Sequence, residues 1–350
     1  MDGFNFNRFR SRFTFKRPTF RLSFKTIAIG VAAVGIVLVV SLALKSKQSS
    51  QKEVEVYVNP YETLVGVALS PKNYEGEDFN SFFTKAKELG NTVSWAGPWQ
   101  EFSKTDNAAE ALMTRAKQND FMPIIITGPT IEEVQKGGYQ TEMAEAIGKF
   151  VTVEQPKYLG IGNGIDEFFL DSPELLTTYI ESIKETLTRV RSVSSSIKVF
   201  ATLQYERSSG LNGGLFGGES DESKNILKDI LPQLEPFDFI AFTTYPGLIY
   251  KTPSELPNDY YTKIKSLTTK PVIFTEIGWS RSVPAEGYDG SESAQAEFIK
   301  KFRDQMKDVQ PKIQLWSFLY PQKVKSPFDT MSLLADDQET SPSFEAWKTK

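Results

Sequence analysis

The chain has 350 residues, 40% hydrophobic and 24% charged, with a formal net charge of −4, which is a globular composition long enough for one large domain or two ordinary ones. It holds no cysteine and no histidine, so disulfides, thiol nucleophiles, Ser-His-Asp chemistry and histidine-ligated metals are excluded, and any chemistry must run on carboxylates, tyrosines, lysines or arginines. Residues 1–25 carry +6 and the remainder therefore −10; so acidic a body argues against nucleic acid as the main partner, because neutralising phosphates needs a basic face.

In chain order, the basic tail comes first. It interleaves Phe4, Phe6, Phe9, Phe13, Phe15, Phe20 and Phe24 with Arg8, Arg10, Arg12, Lys16, Arg17, Arg21 and Lys25, a mixture that suits either an inner membrane surface or a disordered tail that orients an anchor. Residues 26–44, "TIAIGVAAVGIVLVVSLAL", hold no charge over 19 positions. At about 1.5 Å per residue they span the roughly 30 Å hydrocarbon core, so a transmembrane signal-anchor is expected. Ser41 and Ala43 make a weak small-x-small cleavage pattern, but the apolar region of a cleavable signal is usually shorter, about 7 to 15 residues. Seven basic residues precede the span and only Lys45 and Lys47 follow closely. That asymmetry orients a single-pass cell-membrane protein with its N-terminus cytoplasmic and residues 50–350 extracytoplasmic. Residues 45–61 read as a linker.

Residues 62–350 alternate short apolar runs with amphipathic ones. Eight candidate strands stand out: "LVGVAL" from 64, "NTVSW" from 91, "FMPIIIT" from 121, "KYLGIG" from 157, "IKVFATL" from 197, "FDFIAFT" from 237, "PVIFTE" from 271 and "IQLWSF" from 313. Helical patterns lie between them. "DFNSFFTKAKELG" from 78 puts Phe79, Phe82, Phe83 and Ala86 on one face. "SPELLTTYIESIKETLTRVR" from 172 has Ser172 in position to cap and Pro173 at the first helical residue, and "SESAQAEFIKKFRDQMKD" from 291 repeats the signal. The α/β class and a single (β/α)8 barrel after one transmembrane helix follow, with a doubly wound open sheet as the rival.

Active sites of such barrels sit where strands end and loops begin. The expected strand ends hold Trp95 and Trp99, Asn163, Tyr205 and Glu206, Tyr245, Glu276 and Trp279, and Trp316. An aromatic is by default core packing, but four tryptophans at one rim beside carboxylates suit sugar rings, which are apolar on their faces and hydroxylated at their edges. Glu276 ends an otherwise apolar strand, where a carboxylate costs burial energy unless it is solvated or paired. Arg281 is a candidate ion-pair partner for it; catalytic nucleophile is the functional reading.

At "FTEIGWS" and "GIGNGIDEFF" the body resembles the clan of retaining glycoside hydrolases built on (β/α)8 barrels, nearest to arabinogalactan-type endo-hydrolases and bacterial relatives. The resemblance covers roughly residues 62–349. It implies Glu276 as nucleophile, Asn163 as contact to the sugar 2-hydroxyl and Tyr245 as partner of the nucleophile. Trp95, Trp99, Tyr205, Trp279 and Trp316 are expected around the substrate. The slot for the clan's acid/base glutamate, however, is held by Gly164. A phosphate-cradle reading of the same glycines fails, because G-x-G-x-x-G from Gly160 needs a glycine where Ile165 stands.

A retaining mechanism wants two carboxyl groups about 5 to 5.5 Å apart. Losing the acid typically forfeits on the order of 10²- to 10⁴-fold. Three outcomes follow: an active hydrolase whose acid has moved to Glu206, Glu101 or Asp166; a non-catalytic glycan-binding or scaffold barrel; or a recent Glu to Gly change in otherwise intact machinery. A carbohydrate is the expected substrate or ligand in each, and no metal or organic cofactor is implied. "SSGLNGGLFGGES" from 208 is a glycine-rich loop able to close over the site.

Overall fold

The structure is a computed structural model that describes residues 63–105 and 107–348. The basic tail, the apolar span 26–44 with its expected membrane helix, and the linker 45–61 lie outside the described residues. Among the described residues no helix is long and apolar enough to cross a membrane.

A strand forms at each of the eight apolar runs, five of them reaching one residue past the run: β1 (Leu64–Ala68), β2 (Thr92–Ala96), β3 (Met122–Ile126), β4 (Tyr158–Asn163), β5 (Lys198–Gln204), β6 (Phe239–Thr244), β7 (Val272–Ile277) and β8 (Ile313–Trp316). They are parallel and joined in chain order, and β1 closes on β8 with Leu64 opposite Ile313. Closure rules out the open doubly wound sheet.

The runs are apolar throughout because both faces are covered. Side chains alternate, so Ile124, Ile126, Phe200, Ala241, Ile273, Ile313 and Leu315 fill the barrel interior. Their neighbours Ile125, Val199, Phe242, Phe274 and Trp316 face the outer layer.

That layer is built from α1 (Gly76–Ala86), α2 (Ala108–Gln118), α3 (Ile131–Lys136), α4 (Gln140–Glu154), α5 (Ile165–Asp171), α6 (Leu176–Val193), α7 (Tyr205–Ser208), α8 (Leu227–Ile230), α9 (Glu292–Val309) and α10 (Pro342–Trp347). α1 buries Phe79, Phe82, Phe83 and Ala86, the face its spacing predicts. Ser291 caps α9 by accepting the Ala294 N–H at 3.1 Å. Ser172 makes no side-chain cap bond, because Pro173 starts a 3-10 turn over Pro173–Leu175 and α6 begins only at Leu176. The helical layer thins after β5, where α7 and α8 are single turns, and after β6, where 3-10 turns such as Thr262–Ser266 replace a helix.

The end of the barrel where strands begin is tied by polar contacts. Asp238, just before β6, accepts the Val199 N–H at 2.8 Å and the Lys198 ammonium at 3.2 Å, and pairs with Arg191. Burial pushes the Asp238 carboxyl up, but the Val199 N–H and Arg191 outweigh it and hold the group below the usual carboxylate range.

Candidate active site

The opposite end holds a small cleft lined by Asn163, Gly164, Asp166, Glu167, Thr202, Leu203, Gln204, Arg207, Phe216, Thr243 and Glu276. It joins the ends of β4 and β7, the two strands on which the glutamate motifs were read.

Both strands carry an irregularity just before the residue they present. The β4–β5 register shifts between Gly160 and Gly162, and the β7–β8 register shifts between Phe274 and Ile277. An extra residue of this kind bends a strand and re-aims the side chain that follows, a feature common beside active sites. Half-buried Glu276 thereby faces the cleft. The Tyr245 hydroxyl donates to Glu276 Oε2. Arg281, the alternative partner, pairs with Glu292 and Gln338.

At the end of β4 the backbone of Asn163 is fixed from behind. Its N–H donates to the Tyr179 oxygen at 2.8 Å, and the Tyr179 hydroxyl donates back to its carbonyl at 3.2 Å. Tyr179 comes from α6 and stacks on Phe168 with ring centres 3.9 Å apart. Gly164 follows with φ +72° and ψ 43°, a left-handed conformation that costs an L side chain roughly 1–2 kcal/mol. Its N–H donates to the Thr202 carbonyl at 3.1 Å, so the turn into α5 is anchored on β5.

That turn brings two carboxyls into the cleft wall. Asp166 accepts the Gln204 N–H at 2.8 Å through Oδ1, and its Oδ2 lies 3.6 Å from the Arg207 guanidinium. Burial pushes the Asp166 carboxyl up, against the pull of Arg207 and the Gln204 N–H. Glu167 folds back over residue 164: a Cβ built on Gly164 would stand 3.4 Å from Glu167 Cδ and 3.6 Å from Oε1. The sequence alone does not bring Glu167 to the site, because three residues beyond the motif position is remote unless the turn is left-handed. Thr202 also lines the cleft, with a buried hydroxyl that has no hydrogen-bond partner among the described residues.

Other expected site residues stand elsewhere. Glu206 is wholly buried and lies outside the cleft lining; it accepts from Thr244 at 2.6 Å, Tyr260 at 3.0 Å, the Tyr245 N–H at 3.1 Å, and Gln204. Burial pushes its carboxyl up, with the Thr244 and Tyr245 donors opposing. Glu101 pairs with Lys104 in the turn after β2, also outside the cleft lining.

The expected aromatics lie outside the cleft lining. Trp316 points outward because Ile313 and Leu315 take the inward positions of β8, and it packs on Phe298 and Trp347. Trp279 stacks on Phe298. Trp99 donates to Glu133 at 3.0 Å, Trp95 leans on Phe102, and Tyr205 packs among Phe242, Tyr260 and Tyr261. The aromatic of the cleft is Phe216, carried there by the glycine-rich loop after β5, which an isolated antiparallel bridge between Leu211 and Ser220 pinches together.

Among solved structures the chain is similar to a family 39 glycoside hydrolase from Bacteroides cellulosilyticus WH2, with a TM-score of 0.58 and 15% identity over 81% of this chain and 62% of that one. The barrel has the fold of glycoside hydrolases. The GH53 catalytic domain of Ignisphaera aggregans is similar at a TM-score of 0.56 and 15% identity, covering 84% of this chain and 97% of that one. A thermostable mutant of a xylanase from Cellvibrio japonicus is similar at a TM-score of 0.58 and 12% identity, covering 82% and 96%. The chain spans 62% of the length of the family 39 enzyme and 58% of that of an exo-β-1,4-mannosidase from an Opitutaceae bacterium. At such identities the likeness is one of fold. Neither a protein-family model nor a curated protein matches the chain.

Proposed function

We propose that the barrel is a retaining glycoside hydrolase of O-glycosidic bonds in poly- or oligosaccharides, held outside the cell by residues 26–44 as a single-pass anchor. Glu276 is the nucleophile. The observation that carries this reading is the Tyr245 hydroxyl donating to a Glu276 carboxylate that ends β7 and faces a cleft, since a held carboxylate on the strand-end face is what attack on an anomeric carbon requires. The Glu276 oxygen bonds to C1 as the leaving oxygen departs, and water then releases the sugar. Asn163 takes the sugar 2-hydroxyl by the resemblance, Thr202 offers its buried hydroxyl, and Phe216 supplies an apolar face.

One observation favours a second reading, a glycan-binding barrel without catalysis: Gly164 has no proton to give where the resemblance expects the acid/base. With residue 164 as the sole source of that proton, unactivated glycosides turn over very slowly while activated ones still react.

The test is the full chain assayed on 2,4-dinitrophenyl glycosides of glucose, galactose, mannose, xylose and arabinose, whose leaving group departs without protonation. Release of dinitrophenol that disappears in Glu276→Ala is the expected result. No release from any of these sugars would move the barrel to the binding reading.

A further inference from the structure

Gly164 leaves unanswered where the proton comes from, and the cleft itself holds the answer. Three carboxyl groups besides Glu276 stand near the end of β4 or β5. Glu206 lies outside the cleft lining with four donors aimed at it. Asp166 reaches the lining, but one oxygen is fixed on the Gln204 N–H and the other faces Arg207, so it serves to tie α5 to β5. Glu167 is the third.

Its position follows from Gly164. The left-handed residue starts α5 at once, and the Glu167 N–H donates to the Gly164 carbonyl at 3.0 Å. One tight turn thus sets side chain 167 beside residue 164. The carboxyl of Glu167 occupies the space next to which a side chain at 164 would grow, 3.4 Å from the Cβ that glycine lacks, and it lines the same cleft as Glu276.

We infer that Glu167 is the general acid/base of this cleft, its carboxyl standing in for the one that residue 164 does not carry. This rests on the hydrolase reading of Glu276. In the first step the Glu167 O–H gives its proton to the glycosidic oxygen as the C1–O bond breaks and Glu276 forms an ester to C1. In the second, water attacks C1, the Glu167 carboxylate takes the water proton, and Glu276 leaves as a carboxylate. The charged and titratable groups around it are Asp166 on its own helix, Arg207 from α7, Glu276 from β7 and Tyr179 from α6.

The experiment uses the full chain with Glu167→Gln, Asp166→Asn and Glu276→Ala, each checked by thermal melting, on dinitrophenyl glycosides and on methyl glycosides of the same sugars. For Glu167→Gln, kcat/KM on dinitrophenyl glycosides stays within about tenfold, while on methyl glycosides it falls by about 10²- to 10⁴-fold. Azide accelerates the variant and yields a glycosyl azide of retained configuration, and the alkaline limb of the kcat/KM profile against pH disappears. A merely structural role would lower both substrate classes alike and give no azide product. Glu167→Ala, which also admits azide, is the second variant if glutamine does not fold.

Equal losses on both substrates with the alkaline limb intact would overturn the assignment of Glu167, and the leaving-group pattern appearing in Asp166→Asn instead would move it to Asp166. In either case loss of activity in Glu276→Ala keeps the hydrolase reading. If the parent cleaves neither substrate class, both inferences fall together.

Discussion

Gly164 offers a perturbation whose size can be worked from its geometry. At φ +72° and ψ 43°, Gly164→Ala costs about 1–2 kcal/mol from the left-handed backbone alone. The alanine Cβ would meet Glu167 Cδ at 3.4 Å, an ordinary contact, so no steric penalty is added. Gly164→Glu adds a second carboxyl beside Glu167. Two carboxylates about 4 Å apart repel by about 4 kcal/mol at an effective dielectric constant of about 20, so the pair retains a proton instead of paying that in full. Thermal unfolding of the full chain is the assay. A loss of 1 kcal/mol lowers Tm by about 2–4 °C in a domain of 150–250 residues, and by somewhat less here. The expected order is parent, then Gly164→Ala, then Gly164→Glu, with the last gap narrowing as pH falls and the carboxyls protonate. Gly164→Glu is also expected to leave hydrolysis of methyl glycosides no faster than in the parent. An alanine variant as stable as the parent would refute the left-handed turn, and a large gain of activity in Gly164→Glu would refute Glu167 as its substitute.

Tyr245→Phe removes a hydrogen bond to a charged group, which is worth about 1.5–3 kcal/mol, so Tm should fall by a few degrees, and a bond that tightens as Glu276 reacts should also take kcat/KM on dinitrophenyl glycosides down by about 10- to 10²-fold. Asp238→Asn tests the other end of the barrel. Because the folded-state pKa of Asp238 lies below its ordinary 3.8, its stabilisation is present above that value and lost as pH falls through the folded pKa. The variant should therefore lose about 1–3 kcal/mol at pH 7 in urea unfolding, with the difference shrinking below about pH 4. Trp316→Ala should act through packing, costing about 3–5 kcal/mol of stability; a folded variant of unchanged Tm with weakened substrate binding would contradict its outward placement.

Much of the barrel is legible in the sequence because its strands are buried on both faces and its longer helices on one. A near-continuous apolar run survives in "IKVFATL" and a period of 3.6 in the Phe79 to Ala86 face. The thin helical layer after β5 and β6 was not legible, since single turns and 3-10 segments leave no periodic stripe. Glu276 stands out in the sequence by its cost, a carboxylate ending an apolar strand. A strand-end position does not say which face a side chain takes; for Trp316 the alternation set by Ile313 and Leu315 does. Glu167 was hidden for another reason: its approach to residue 164 depends on the sign of one φ angle, which the glycine permits without announcing.

The central claim is that Glu276 attacks a sugar. Incubating the full chain with 2,4-dinitrophenyl 2-deoxy-2-fluoro glycosides of the five sugars, then digesting it for mass spectrometry, tests this directly, because the C2 fluorine slows both steps while the dinitrophenyl leaving group keeps the first fast enough for the covalent intermediate to accumulate. The expected result is one fluoroglycosyl unit on the peptide bearing Glu276, with no label in Glu276→Gln. A folded chain that takes no label from any of them, or takes it on another residue, would contradict the account.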